Sequence, residues 1–359
     1  MEITAKITGI KYKPFLTNKL EVFNFKNLDI NDLPSSCIIN YDGFNFGLSK
    51  WVSPKRTRSY PYERVYNTLS TAKRITIIPI IKDEGKEGDR DFIQWDTVSL
   101  MSLLDVFVVF SYYKTAEKHK SGKNKITNQQ FDNEWTKRKI SEIKNYHSSA
   151  LHWNLKEIEY SFPYLIQKSK EAYNSISKKL KVEFHNEQGI DLFAKQFMQG
   201  VNEFMITSRQ KAKEVQKREV KTIQPKESLS TLTKAKITIE NYLGGKYYFT
   251  VDELVIQKST LFLIEDKHSK ISILPSIGDI KDGLLKMILF SNLKNVSVSG
   301  KEYKIIPTLK LTSSRIKDEI TISNLNTNKF LSEKDKDILK KLFKEAHENN
   351  FEVLIKKGL

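Results

Sequence analysis

A single cysteine, Cys37, stands in a chain of 359 residues. One thiol cannot form a disulfide within the chain and cannot build a thiolate zinc site. No run of about 18 apolar residues occurs, which argues against a membrane-spanning helix. The opening stretch MEITAKITGIKYK lacks the apolar core and the small-residue cleavage site of a secretory leader. A soluble, cytoplasmic protein is therefore expected. No internal repeat is visible. Neither a membrane nor a small-molecule cofactor is expected among its partners.

What is present points elsewhere. The chain is 39% hydrophobic and 11% aromatic, enough apolar material for a core. Its formal net charge is +17, with a pI near 9.5. An excess of this size bears on partners and not on fold. The usual partner is a phosphate backbone, where each Lys or Arg contact releases condensed counterions. The alternative is a lysine-rich solvated surface from a compositionally biased genome.

Three parts are expected along the chain. Residues 1–124 read as mixed α/β, with buried strands at 75–81 (ITIIPII) and 106–113 (VFVVFSYY). Pro79 places the first of these at a sheet edge or ends it early. The polar stretch KDEGKEGDRD between them reads as a turn. Residues 125–221 read as a helical subdomain, with Trp135, Ile140, Ile143, Leu151, Leu155 and Ile158 at helical spacing. The linker candidate is 222–232. Residues 233–359 return to α/β, in the order helix, strand, strand, helix, strands, helix. Ser332 and Asp335 cap the last helix, whose apolar face is Ile338, Leu339, Leu342 and Phe343.

The chemistry lies in residues 246–293. YYFTVDELVI reads as a strand, QKS as a turn, and TLFLIEDKH as a second strand, apolar until its charged end. The helix that follows carries Ile277, Ile280, Leu284 and Ile288 on one face and an Asp282–Lys286 pair on another. Alternation puts Glu265 and Lys267 on one face of their strand and Asp266 on the other. A hairpin of this size brings Asp252 beside Glu265. Two carboxylates suit a hard divalent ion such as Mg²⁺. Such an ion polarises a phosphoryl oxygen and lowers the pKa of a bound water. A neighbouring lysine orients that water and stabilises developing negative charge. The competing reading is a Glu265–Lys267 ion pair on a solvated edge, where such pairs contribute little. Against it, three successive charges at the end of a buried strand are costly without a function.

Val251-Asp252, Glu265-Asp266-Lys267 and the following helix resemble the PD-(D/E)XK nuclease superfamily. The resemblance runs from Glu240 to Leu293. It implies a hairpin carrying the acids in a central mixed sheet flanked by helices. It implies that Asp252 and Glu265 bind Mg²⁺ and that Lys267 acts on the water. Many members add an acid from an upstream helix, a place that Glu240 fills loosely as a further metal ligand. Val251 stands where the family has proline, and Glu253 adjoins Asp252 as a rival ligand.

Two amino-terminal clusters remain. In residues 49–69, Lys50, Lys55, Arg56, Arg58 and Arg64 interleave with Trp51, Tyr60, Tyr62 and Tyr66. These are candidate DNA contacts, because arginine forks match phosphates and guanine edges. The alternative is a solvated turn whose tyrosines belong to the core. Asp89, Asp91 and Asp96, with Glu63, form a candidate second acidic site, or loop acids that organise basic DNA-contacting side chains. His268 is assigned no role.

The resulting expectation is an α+β protein with a restriction-endonuclease-like central mixed sheet, an added N-terminal part and a helical subdomain. By analogy it resembles a type II restriction endonuclease: a Mg²⁺-dependent homodimer cutting double-stranded DNA at a specific site. A repair or mobile-element nuclease of the same fold, and a non-catalytic DNA-binding protein, stay open.

Overall fold

The computed structural model describes residues 2–55, 61–198, 235–241 and 246–358. In chain order the strands are β1 (Glu2–Ile7), β2 (Val22–Asn24), β3 (Ser36–Tyr41), β4 (Phe44–Lys50), β5 (Lys73–Pro79), β6 (Ile81–Asp83), β7 (Arg90–Phe92), β8 (Val106–Ser111) and β9 (Tyr113–Lys118). They continue with β10 (Ile126–Phe131), β11 (Ala235–Asn241), β12 (Lys246–Val251), β13 (Glu253–Gln257), β14 (Thr260–Ser269), β15 (Lys294–Val298), β16 (Lys301–Glu302), β17 (Lys304–Ser313) and β18 (Glu352–Lys357). The helices are α1 (Pro61–Asn67), α2 (Trp95–Leu103), α3 (Asn133–Lys144), α4 (Ala150–Leu180), α5 (Gln188–Met198), α6 (Ile277–Ser291) and α7 (Glu333–Glu348). The fold is α+β, with mixed sheets. Among the described residues no helix is long and apolar enough to cross a membrane.

The chain divides into two compact units. The central unit comprises Leu20–Pro61 and Thr71–Lys226; the terminal unit comprises Met1–Lys19, Tyr62–Ser70 and Glu227–Leu359. This differs from the expected boundaries at 124, 221 and 233. The amino-terminal part is shared between units. The helical region 125–221 does not stand apart, because its described helices cover a sheet. The expected linker at 222–232 lies outside the described residues.

In the central unit the sheet order is β2-β3-β4-β5-β8, with β4, β5 and β8 parallel. β5 is flanked on both sides, so Pro79 ends the strand and does not place it at an edge. β8 is the edge strand, yet all six of its residues are buried. Helix side chains satisfy its outer backbone groups, which would otherwise be a pairing hazard. Trp153 Nε1 donates to the Val108 carbonyl at 2.8 Å, and Trp135 Nε1 to the Phe110 carbonyl at 2.9 Å. The Val108 N–H donates to Asn154 Oδ1 at 2.7 Å. An amphipathic α3–α4 pair therefore has a sheet edge to bury against. Asp132 caps α3 and Ser149 caps α4.

In the terminal unit one sheet has the order β12-β11-β1-β15-β16 and the other β13-β14-β17-β18. β11, expected as a helix, is a strand parallel to β1. Pairing with β1 and β12 decides this: Ile237 and Ile239 are fully buried, Thr238 between them is half-buried and Lys236 before them is exposed. β14 sits between β13, antiparallel, and β17, parallel. The crossover from β14 to β17 carries α6, which packs on both strands. α7 starts at the expected capping box of Ser332 and Asp335, and Leu339 and Leu342 are buried. Ile338 and Phe343 are half-buried. The Glu345 carboxylate of α7 accepts from Tyr12 Oη and Tyr66 Oη, each at 2.7 Å, and from the Phe15 and Leu16 N–H groups at 2.8 and 3.2 Å. One buried carboxylate thus binds the amino-terminal segment and α1 to α7.

Candidate active site

β14 turns from apolar to charged at Glu265, and its alternation holds in three dimensions. Leu261, Leu263 and Glu265 are buried, with Glu265 only 1% exposed. Asp252 does not lie within one long strand. It occupies a bend between β12 and β13, where the chain passes from one sheet to the other. Glu253 pairs with Ile264, so the register sets Asp252 beside Glu265. Asp252 Oδ2 accepts the Asp266 N–H at 3.1 Å. The register and the Asp266 N–H contact bring the Asp252 and Glu265 carboxyls side by side, and each acts on the other's ionisation. Glu253 turns away: its carboxylate and that of Asp266 pair with Lys310 at 2.8 and 2.9 Å. Of the two rival acids, Asp252 is the one that reaches Glu265.

Lys267 Nζ lies 3.0 Å from Glu265 Oε1 and 2.7 Å from Asp282 Oδ2. Lys286 Nζ lies 2.5 Å from Glu265 Oε2. Asp282 and Lys286 thus do not form the expected pair along α6. Both pair with residues of β14, because α6 is buried almost all round and its charged groups must find partners on the elements packed against it. The group is Asp252, Glu265, Lys267, Asp282 and Lys286. The last two were missed as site residues. Asp282 and Lys286, one turn apart on a helix whose remaining surface is largely apolar beyond its first turns, are the available signal.

Burial pushes the Glu265 carboxyl above its ordinary value, with Lys286 and Lys267 opposing. Burial acts on Asp252 in the same sense, but the Lys286 charge, the neighbouring Glu265 carboxyl and the Asp266 N–H outweigh it and hold Asp252 low. Burial disfavours the Lys267 ammonium, yet Glu265 and Asp282 lift it above the ordinary lysine value. Lys267 is therefore a cation at neutral pH. It can orient a water and stabilise negative charge, but it does not accept a proton.

Among the described residues no three His, Cys, Asp or Glu side chains form a ready metal cage. Mg²⁺ asks for less, since one or two carboxylates suffice and water completes its shell. Asp252 and Glu265, two acids side by side with one fully buried, are a donor set that fits a hard divalent cation.

Gly283 permits the close approach of α6. A Cβ there would meet Leu309 Cδ1 at 2.6 Å and Lys267 Cε at 3.3 Å. Gly283→Ala is expected to lose about 1–2 kcal/mol net, overpacking outweighing the gain in helix propensity. Urea denaturation reads the loss, and an unchanged midpoint would show that the helix shifts freely.

The other expected residues lie elsewhere. Glu240 is on a strand, not a helix, and pairs with Lys246, whereas Asp252 follows Val251, the partner of Ala235. It therefore sits at the opposite end of β11, about 17 Å along the strand, and does not join the site. Lys50 donates to the Ile30 and Asn31 carbonyls at 2.8 and 2.9 Å, which ties it to its own unit. Lys55 pairs with buried Asp91 at 2.6 Å, and Ser53 Oγ donates to Asp91 at 3.0 Å. Arg64 is half-buried in α1, in the terminal unit. Arg56, Arg58 and Tyr60 lie outside the described residues. Trp51, Tyr62 and Tyr66 are core residues. Asp91 is buried, Asp89 is exposed and Asp96 lies in the first turn of α2. Glu63 belongs to the other unit, 3.9 Å from Lys281. Of the two readings of these acids, Asp91 fits the one in which it organises a basic side chain.

No protein-family model, no curated protein and no solved structure matches this chain.

Proposed function

We propose that this protein is a Mg²⁺-dependent endonuclease of the PD-(D/E)XK type that hydrolyses double-stranded DNA at a specific sequence. We take it to resemble a type II restriction enzyme, cytoplasmic and homodimeric, because a two-fold protein suits a two-fold site. One observation carries the reading. Asp252, Glu265 and Lys267 converge where the apolar strand β14 ends, joined by Asp282 and Lys286 from α6. Ions removed from water cost several kcal/mol each before pairing. A sheet needs no such cluster to close, and perturbed acids of this kind gather at functional sites.

Asp252 and Glu265 would hold the cation. When bound, it supplies Lewis-acid stabilisation of charge on the scissile phosphate. Lys267, anchored by Asp282, presents an ammonium to the attacking water and to the phosphate oxygens. The +17 net charge supplies salt-sensitive attraction to the DNA backbone. Lys55 stays a candidate DNA contact; Lys50 is already engaged by backbone carbonyls.

A second reading has its own observation. Both Glu265 oxygens are already engaged by ammonium groups. A network closed in this way also suits a non-catalytic DNA-binding protein that uses it as structure.

Incubating the full chain with long unmethylated DNA, with and without Mg²⁺, separates the readings. Discrete bands that require Mg²⁺ are the expected result. A smear would keep the nuclease and favour a repair or mobile-element role. A salt-dependent mobility shift without cutting would favour the second reading.

A further inference from the structure

Glu265 is approached by two lysines, and they are not equivalent. Lys267 bridges Glu265 and Asp282, at 3.0 and 2.7 Å, so it keeps a partner if Glu265 is taken by something else. Lys286 makes its hydrogen bond to Glu265 Oε2, at 2.5 Å; its charge also acts on Asp252, but among the described residues no second carboxylate lies within ion-pair distance of it. Both ammonium groups are shielded, their side chains 17% and 10% exposed. Asp252, Glu265 and Asp282 against Lys267 and Lys286 leave the cluster one negative charge in excess. Without Lys286 the excess would be two.

We propose that Lys286 is a built-in competitor of the metal: it occupies Glu265 Oε2 in the metal-free protein and yields that oxygen when a divalent cation binds. The inference rests on the nuclease reading of the same site and adds a positioning residue that the PD-(D/E)XK motif does not name. Two features make Lys286 the residue that yields. Its ammonium sits on a flexible four-carbon stem, and its bond to Glu265 is the one a cation on that carboxylate must replace. Lys267 stays in place because Asp282 holds it independently. The metal-free protein thereby keeps the buried Glu265 paired and in position. An unpaired carboxylate at such depth would be costly.

The test is metal affinity, read apart from cleavage. Mg²⁺ binding to the full chain without DNA is measured by calorimetry, and Mn²⁺ binding by the loss of its free resonance signal. Lys286→Gln and Lys286→Met are expected to bind at least about tenfold tighter than the unaltered chain, because no ammonium has to be displaced. Lys286→Arg keeps the charge and is expected to stay within about threefold of the unaltered chain. Glu265→Gln is expected to lose binding. Circular dichroism confirms that each variant is folded, and the Gln variant serves if the Met variant is not. Unchanged or weaker binding in a folded Lys286→Gln protein, with binding still dependent on Glu265, overturns this inference alone. No binding in either the unaltered chain or Lys286→Gln overturns the metal centre and this inference together.

Discussion

Glu265→Ala is expected to lower Mg²⁺-dependent cleavage at least about a thousandfold while DNA binding in EDTA or Ca²⁺ persists. The carboxylate is the hub of the site: Asp252 lies beside it, Lys267 and Lys286 each take one of its oxygens, and it is buried. Removing it takes away a cation ligand and leaves two ammonium groups facing each other. Alanine therefore also destabilises, so Glu265→Gln accompanies it as the isosteric variant. Lys267→Ala is expected to show the same loss of cleavage, because in the proposed mechanism its ammonium, held by Asp282, is the charge that stabilises the reacting phosphate. Rates come from a gel time course, and binding from a mobility shift. Near-wild-type cutting in either folded variant would place the chemistry elsewhere.

Glu345→Ala is expected to lower the unfolding free energy of the terminal unit by about 3–5 kcal/mol. Four donors converge on this carboxylate: two tyrosine hydroxyls and two backbone N–H groups. Alanine leaves them buried without an acceptor. Glu345→Gln is expected to lose about 1–3 kcal/mol, because its amide NH₂ is a donor set against donors. Burial raises the Glu345 carboxyl above its ordinary value, although the tyrosines and the N–H groups oppose. The folded state therefore holds its proton to higher pH than the unfolded chain does. That contribution is full below the ordinary glutamate value and is lost as pH rises through the raised one. The unfolding free energy across that window, read by urea denaturation, is expected to fall more steeply with rising pH in the unaltered chain than in Glu345→Gln. Equal slopes would show that Glu345 does not titrate there, and an unchanged midpoint in the alanine variant would remove its structural role.

Much of the local structure was legible. The 75–81 and 106–113 runs supply most of β5 and β8, each breaking before a new strand starts at Ile81 or Tyr113; the KDEGKEGDRD stretch runs from β6 to β7, and α7 begins at its capping box. These are short-range matters of alternation, turn residues and capping, which a side chain and its near neighbours decide. The meeting of Asp252, Glu265 and Lys267 was legible for the same reason, since a hairpin fixes its own register. The resemblance to a nuclease motif drew on those residues alone.

What failed was long-range. β11 was taken for a helix because its strand partner, β1, lies more than two hundred positions earlier in the chain. Glu240 was drawn into the site by that mistake. The α3–α4 region reads as a helical subdomain because nothing local shows that Trp153, Trp135 and Asn154 satisfy the edge of β8. Tyr12 and Tyr66 gave no sign of a shared carboxylate on α7.

The sequence by itself determined the class of chemistry available at the end of β14: two acids and a lysine, placed by alternation and one tight turn. Only the tertiary structure decided what surrounds them. α6 crosses over β14 with almost no face left to solvent, so Asp282 and Lys286 have to find their opposite charges on the strand beneath instead of on each other. Pairing between buried charges depends on which elements pack together, and that is settled by the whole chain.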